Sequence, residues 1–194
     1  MKRGYLFTFV FMIIVAFVFA AALAVTNHLA QPAIAANEQV ALEKALVYAF
    51  DVPVDQSDDA AVRAAFSEQI ERIETPDLTY YTYADGDSTR GYAVPFTGAG
   101  LWGAIRGFLS VTPALDTVQG LVFLEQNETP GLGGRIDEQW FRDQFRGQSL
   151  LQPVTYGDGI DAITGATSSS TAVLRIVNEV AAEELEELEA ILNG

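Results

Sequence analysis

The chain has 194 residues, with 11 Lys and Arg against 26 Asp and Glu, a net charge of −15, one His and no Cys. The lack of Cys excludes disulfides, thiolate zinc sites, cysteine-ligated iron–sulfur clusters and thiol catalysis. The charge excludes nucleic acid as a partner, because a phosphate backbone repels such a surface. A length of this order, with 49% hydrophobic and 11% aromatic residues, predicts one domain with its own core.

The chain opens with Lys2 and Arg3, and the run from Tyr5 to Val25 carries no charge. At about 1.5 Å per residue this run spans roughly 30 Å, the thickness of a bilayer's hydrocarbon core. The only cations on its N-terminal side precede it, which places the N-terminus in the cytoplasm and the rest outside. A cleaved signal peptide, cut near Ala20–Ala22 or Ala33–Ala36, is the alternative, although signal cores are usually shorter. Residues 1–30 are thus expected as a transmembrane anchor, 31–77 as a helical connector and 78–194 as the folded domain. The lone His28 lies in the interfacial stretch and points to no catalysis.

Residues 34–50 fit a helix ended by Val52-Pro53, and a second helix is expected around Ala60–Ile73. The period then changes. Leu78–Tyr83 and Ser88–Val94 flank Asp85-Gly86 as a hairpin, and Arg106–Val111 with Thr117–Leu124 forms another. A short helix over Glu138–Arg146 should bury Trp140, Phe141 and Phe145. A strand follows at Leu150–Tyr156, and a last helix runs from Ser168 to Leu192, its acidic end solvated. The fold class expected is α+β, an antiparallel sheet with packed helices.

Three stretches stand out. Asp161, Thr164, Gly165, Ala166 and Thr167 precede the last helix, with Ser168 next. A helix start explains this composition through capping alone; it also suits a phosphate, which free N–H groups and the helix dipole attract. Upstream, Glu128-Thr129-Pro130-Gly131-Leu132-Gly133-Gly134 is a turn-rich loop. Earlier still, Trp102 stands among glycines in Gly98–Gly103, where an indole can stack on a planar ligand or fill a core.

Taken together, these stretches resemble the FMN-binding domain of the periplasmic flavin subunits of sodium-pumping NADH:quinone reductase and of the related Rnf complex. Asp161, Thr164, Gly165, Ala166 and Thr167 match that family's Asp-x-x-[Ser/Thr]-Gly-Ala-[Thr/Ser] motif. Glu128–Gly133 matches its second signature. Gly100–Gly103 with Gly107 looks more like the flavin subunit of the sodium-pumping enzyme than its Rnf counterpart. The resemblance implies FMN joined through its phosphate to Thr167 by a flavin transferase that uses FAD and magnesium and recognises Asp161. It implies that Thr164, Gly165, Ala166 and Ser168 surround the phosphate. Trp102 and Leu132 would then touch the ring, with Glu128, Thr129 and Gly133 near its edge. The partners implied are the other subunits of a membrane respiratory complex and the lipid bilayer.

No catalytic triad, metal-ligand spacing or Rossmann fingerprint is legible, so nicotinamide oxidation is expected elsewhere in such a complex. An electron-relay subunit of a sodium-translocating complex, an Rnf-type subunit or stand-alone flavin carrier, and a non-redox module in which Thr167 merely caps a helix are the competing readings.

Overall fold

The computed structural model describes residues 2–193. Helix α1 runs without interruption over Lys2–Ala49, passing through Pro32, so the anchor-like run and the expected helix at 34–50 are one element. It is the one helix among the described residues long and apolar enough to cross a membrane. The chain divides into two compact units, one ending at Val40 and the other beginning at Ala41. In the first unit Phe7, Phe17, Phe19 and Leu23 are exposed, as apolar side chains facing lipid must be.

The second unit holds a five-stranded sheet in chain order: β1 (Ile70–Glu74), β2 (Thr79–Asp85), β3 (Ser88–Ala99), β4 (Ala104–Val111) and β5 (Val118–Glu125). Every neighbouring pair is antiparallel. Successive strand residues point to opposite faces, and both faces are covered. Tyr80, Val94, Phe96, Ile105 and Leu109 pack against α4 (Thr167–Ala182), α5 (Glu184–Asn193) and the short α3 (Gln139–Asp143). Tyr81, Ala93, Phe108 and Val122 pack beneath Leu46, Val47 and Ala49 of α1 and Val62 of α2 (Asp59–Gln69). This is an α+β fold with helices on both sides of an antiparallel sheet.

Both expected hairpins form, and β3 extends past Pro95, which pairs with Phe108, as far as Ala99. Other expectations are corrected. The helix expected over Ala60–Ile73 stops at Gln69, and Ile70–Glu74 becomes a strand because Ile70 and Ile73 lie opposite Tyr83 and Tyr80. That strand lies inside the 31–77 interval. The stretch Leu150–Tyr156 is not a strand: only Ser149 forms a bridge, to Thr117. Pro153 has no N–H to give a ladder, and Val154 instead exchanges hydrogen bonds with the Asn178 amide at 2.8 and 3.0 Å. Helix 138–146 shrinks to a 3₁₀ turn at Gly133–Asp137 followed by α3. There Phe141 and Phe145 are fully buried, whereas Trp140 is 44% exposed. The last helix breaks at Glu183, whose φ of −115° departs from helical values, so that Leu185 and Leu188 of α5 can turn into the core.

Candidate functional site

Three loops converge at one end of the sheet. The β3–β4 connection closes tightly, Gly100 N donating to Gly103 O at 2.7 Å, and carries Leu101 and Trp102 on its tip. Both are exposed, Trp102 at 69%. The second loop folds around Thr129 O, which accepts from Leu132 N at 3.1 Å and Gly134 N at 3.0 Å. The third leads into α4 through a turn in which Ala166 N donates to Ile163 O at 2.9 Å and Gly165 takes a φ of +82°. That left-handed conformation favours glycine. Buried Ser170 braces the turn, accepting from Ile163 N at 3.0 Å and donating to Ala166 O at 3.1 Å.

Helix α4 has Ala166 at its N-cap and no side chain capping it. The capping role open to Thr167 in the sequence is therefore not taken: Thr167 is the first helical residue, exposed at the mouth of the helix. The first N–H groups of a helix have no intrahelical acceptor, so here the dipole's positive end and its donors face outward.

A cavity of about 470 Å³ lies over this helix start, lined by Leu101, Trp102, Thr129, Leu132, Gly133, Gly165, Ala166, Thr167, Ser168 and Ser169. The structure thus brings together residues from three motifs that span more than sixty positions of the chain. Thr164 and Asp161 are exposed beside the turn and do not line the cavity. Asp161 N donates to Gln144 Oε1 at 2.8 Å. Leu101 and Ser169 line the cavity although the motifs do not single them out. Each is the immediate neighbour of a residue that the motifs do name, and that adjacency is the only signal in the sequence.

Glu128 stands behind the cavity wall. It is 4% exposed. Its Oε1 accepts from Leu101 N at 2.8 Å and Trp102 N at 3.0 Å, while its Oε2 accepts from the Ser169 hydroxyl. A larger cavity of about 670 Å³ opens elsewhere, between Tyr48, Val52, Val54, Phe123 and Arg142, and none of the motif residues lines it. Among the described residues no group of three or more His, Cys, Asp or Glu is placed to hold a metal.

A sheet flanked by helices, with a small-residue turn feeding an uncapped helix start beside an exposed tryptophan, is the arrangement of a flavin mononucleotide domain. Residues 100–182 match the family described as the FMN-binding domain, and the resemblance drawn from the motifs holds over that stretch. The chain is 35% identical over 132 residues to NqrC, the C-type polypeptide of the Na(+)-translocating NADH-quinone reductase, of Pasteurella multocida (strain Pm70), covering 60% of this chain and 47% of that protein. It is 35% identical over 107 residues to the same polypeptide of Vibrio vulnificus (strain YJ016), covering 48% and 42%. The chain therefore spans about half the length of these relatives. Among solved structures, Shewanella oneidensis NqrC superposes with a TM-score of 0.67 at 20% identity, covering 80% of this chain and 99% of that one. Its counterpart from Parabacteroides distasonis ATCC 8503 does so at 0.55 and 22% identity, covering 72% and 87%. These two likenesses establish the fold.

Proposed function

We propose that this chain is a membrane-anchored flavin subunit that carries FMN as a phosphoester on Thr167 and relays electrons within a sodium-translocating NADH:quinone reductase-type complex. The observation that carries this reading is the position of Thr167, the last residue of the motif, at an uncapped helix start on the edge of the cavity. The residues present fit the group. Outward N–H groups and the dipole suit a phosphate, Gly165 keeps side-chain bulk away from it, and Trp102, Leu101 and Leu132 offer apolar surface to a flat ring.

When bound, FMN supplies reversible electron acceptance and donation. The chain's own part is to hold and orient. Attachment makes the Thr167 Oγ1–phosphorus bond and breaks the pyrophosphate bond of FAD; AMP leaves and the hydroxyl proton passes to solvent. A flavin transferase with magnesium would perform that step, and Asp161 and Thr164, both exposed beside the turn, are available to it. A tether of this kind keeps the local flavin concentration high without a deep pocket.

The apolar run within residues 1–30 serves as the anchor, with the N-terminus inside and the flavin domain on the extracytoplasmic side. The partners are the other subunits of the complex, which supply the nicotinamide site.

Denaturing electrophoresis of the chain produced together with a flavin transferase tests the reading. A fluorescent band that Thr167→Ala abolishes is expected, and intact mass should show one FMN. A dark wild-type band with an unmodified mass would overturn it. Copurification of multi-helix subunits from solubilised membranes supports the complex; a lone chain that still turns over with a soluble donor favours the stand-alone carrier.

A further inference from the structure

Glu128 belongs to the second signature, yet its carboxylate faces away from the cavity and into the protein. Both oxygens are engaged by donors from two different loops: the backbone of Leu101 and Trp102 at one, the Ser169 hydroxyl at the other. Its own N–H donates to Gln126 Oε1 at 2.7 Å, which holds the signature loop in place from below. A single buried side chain thereby links the tryptophan tip, the Gly-rich loop and the third residue of α4.

The carboxylate also lies close to the cavity. Gly133 lines that cavity, and a methyl group added to it would come within 2.8 Å of Glu128 Oε2. Only glycine backbone separates the negative charge from the space above. Charges act strongly through such an interior, where the effective dielectric is far below that of water.

We propose that Glu128 is the positioning residue of this site. It holds Trp102 against the start of α4 and sets a fixed negative charge behind the cavity wall that lowers the reduction potential of the flavin. The second half rests on the flavin reading above; the first does not. A negative charge near the ring disfavours the electron-rich reduced state, so removing it should raise the potential.

The test uses the full chain in a Trp140→Phe background, which leaves Trp102 as its single tryptophan. Glu128→Ala removes all three acceptor contacts and is expected to lower Trp102 fluorescence anisotropy in the unloaded chain; unchanged anisotropy in folded Glu128→Ala would overturn the positioning role. Glu128→Gln keeps the volume and an acceptor for Leu101 and Trp102, and is expected to leave anisotropy near wild type while moving the midpoint potential of the flavin-loaded chain upward. A potential that stays put or falls would overturn the electrostatic role. Ser169→Ala keeps the charge and drops one contact; its potential should stay near that of the wild type, and a rise matching that of Glu128→Gln would also sink the charge argument. Absence of flavin from the wild-type chain would count against the flavin reading instead, and the anisotropy arm would still decide whether Glu128 positions the loop.

Discussion

At the scale of single residues, the site is built on places where no side chain fits. A Cβ on Gly133 would collide with Ser169 Oγ and come within 3.0 Å of Glu128 Cβ, whereas one on the adjacent Gly134 meets nothing closer than 3.4 Å. Overpacking of this kind costs about 1–3 kcal/mol. Gly133→Ala should therefore lower the urea midpoint of the chain by that order and reduce flavin loading, with Gly134→Ala close to wild type in both measurements. Gly165 differs in kind. Its nearest obstacle is Leu132 Cδ2 at 3.6 Å, so the constraint there is the φ of +82°, not space. The motif spelled out in the sequence is thus legible as chemistry, but Glu128, which the resemblance puts near the ring edge, is a buried strut. Nothing in a linear string says which side of a loop a carboxylate faces.

Among the secondary elements, two junctions matter most. One lies where α4 crosses the sheet: Ile176 is 2% exposed and packs with the cluster that includes Val94, Phe96 and Ile105. Ile176→Ala should cost about 2–5 kcal/mol, read as a shift in urea midpoint, and loosen the helix that presents Thr167. The other is the end of α1. Arg146 Nη2 donates to Tyr48 O at 2.7 Å, and the guanidinia of Arg142 and Arg146 lie 4.4 and 4.7 Å from the centre of the Tyr48 ring. Tyr48 OH donates to Asp143 Oδ1 at 2.5 Å, and Arg146 Nε donates to the same atom at 3.0 Å. Burial pushes against ionisation of Asp143, yet the hydrogen bonds from Tyr48, Arg146 and Gln139 outweigh it and hold its carboxyl below the usual range. A carboxylate lowered on folding stabilises the protein above its unfolded pKa of about 3.9, and that contribution is lost as pH falls through the folded value. Urea midpoints followed down from neutral pH should fall in acid, and Asp143→Asn should flatten that part of the profile.

Over the whole molecule, the dominant force outside the core is repulsion among carboxylates, 26 acidic residues facing 11 basic ones. Burial, with Glu183, Glu187 and Glu179 close by, pushes the Glu184 carboxyl up, and burial does the same to Asp137. Groups raised in this way favour folding as they are protonated, so they oppose the acid loss at Asp143. Repulsion between exposed charges is screened by salt, whose Debye length falls from about 30 Å at 0.01 M to about 10 Å at 0.1 M. The melting temperature of the full chain in nonionic detergent should rise across that range; a fall would mean that the surface ion pairs, such as Arg175–Glu179 at 2.8 Å, outweigh the repulsion.

Local signals determine a good part of this protein. The charge-free run to Val25, the Asp85-Gly86 turn and the amphipathic pattern from Val173 to Val180 act through a few neighbouring residues, so they can be read without knowing what lies opposite. The Thr164–Thr167 motif is equally local, because a helix start needs only its own first turn. What the tertiary structure alone decided are questions of partners. Ile70–Glu74 is a strand because Tyr80 and Tyr83 stand across from it, and Val154 leaves the ladder because Asn178 satisfies its backbone. Trp140 stays exposed while its neighbour Phe141 takes the core. The cavity itself exists only because three distant loops meet, and burial, pairing and desolvation are set by whatever the fold brings into contact.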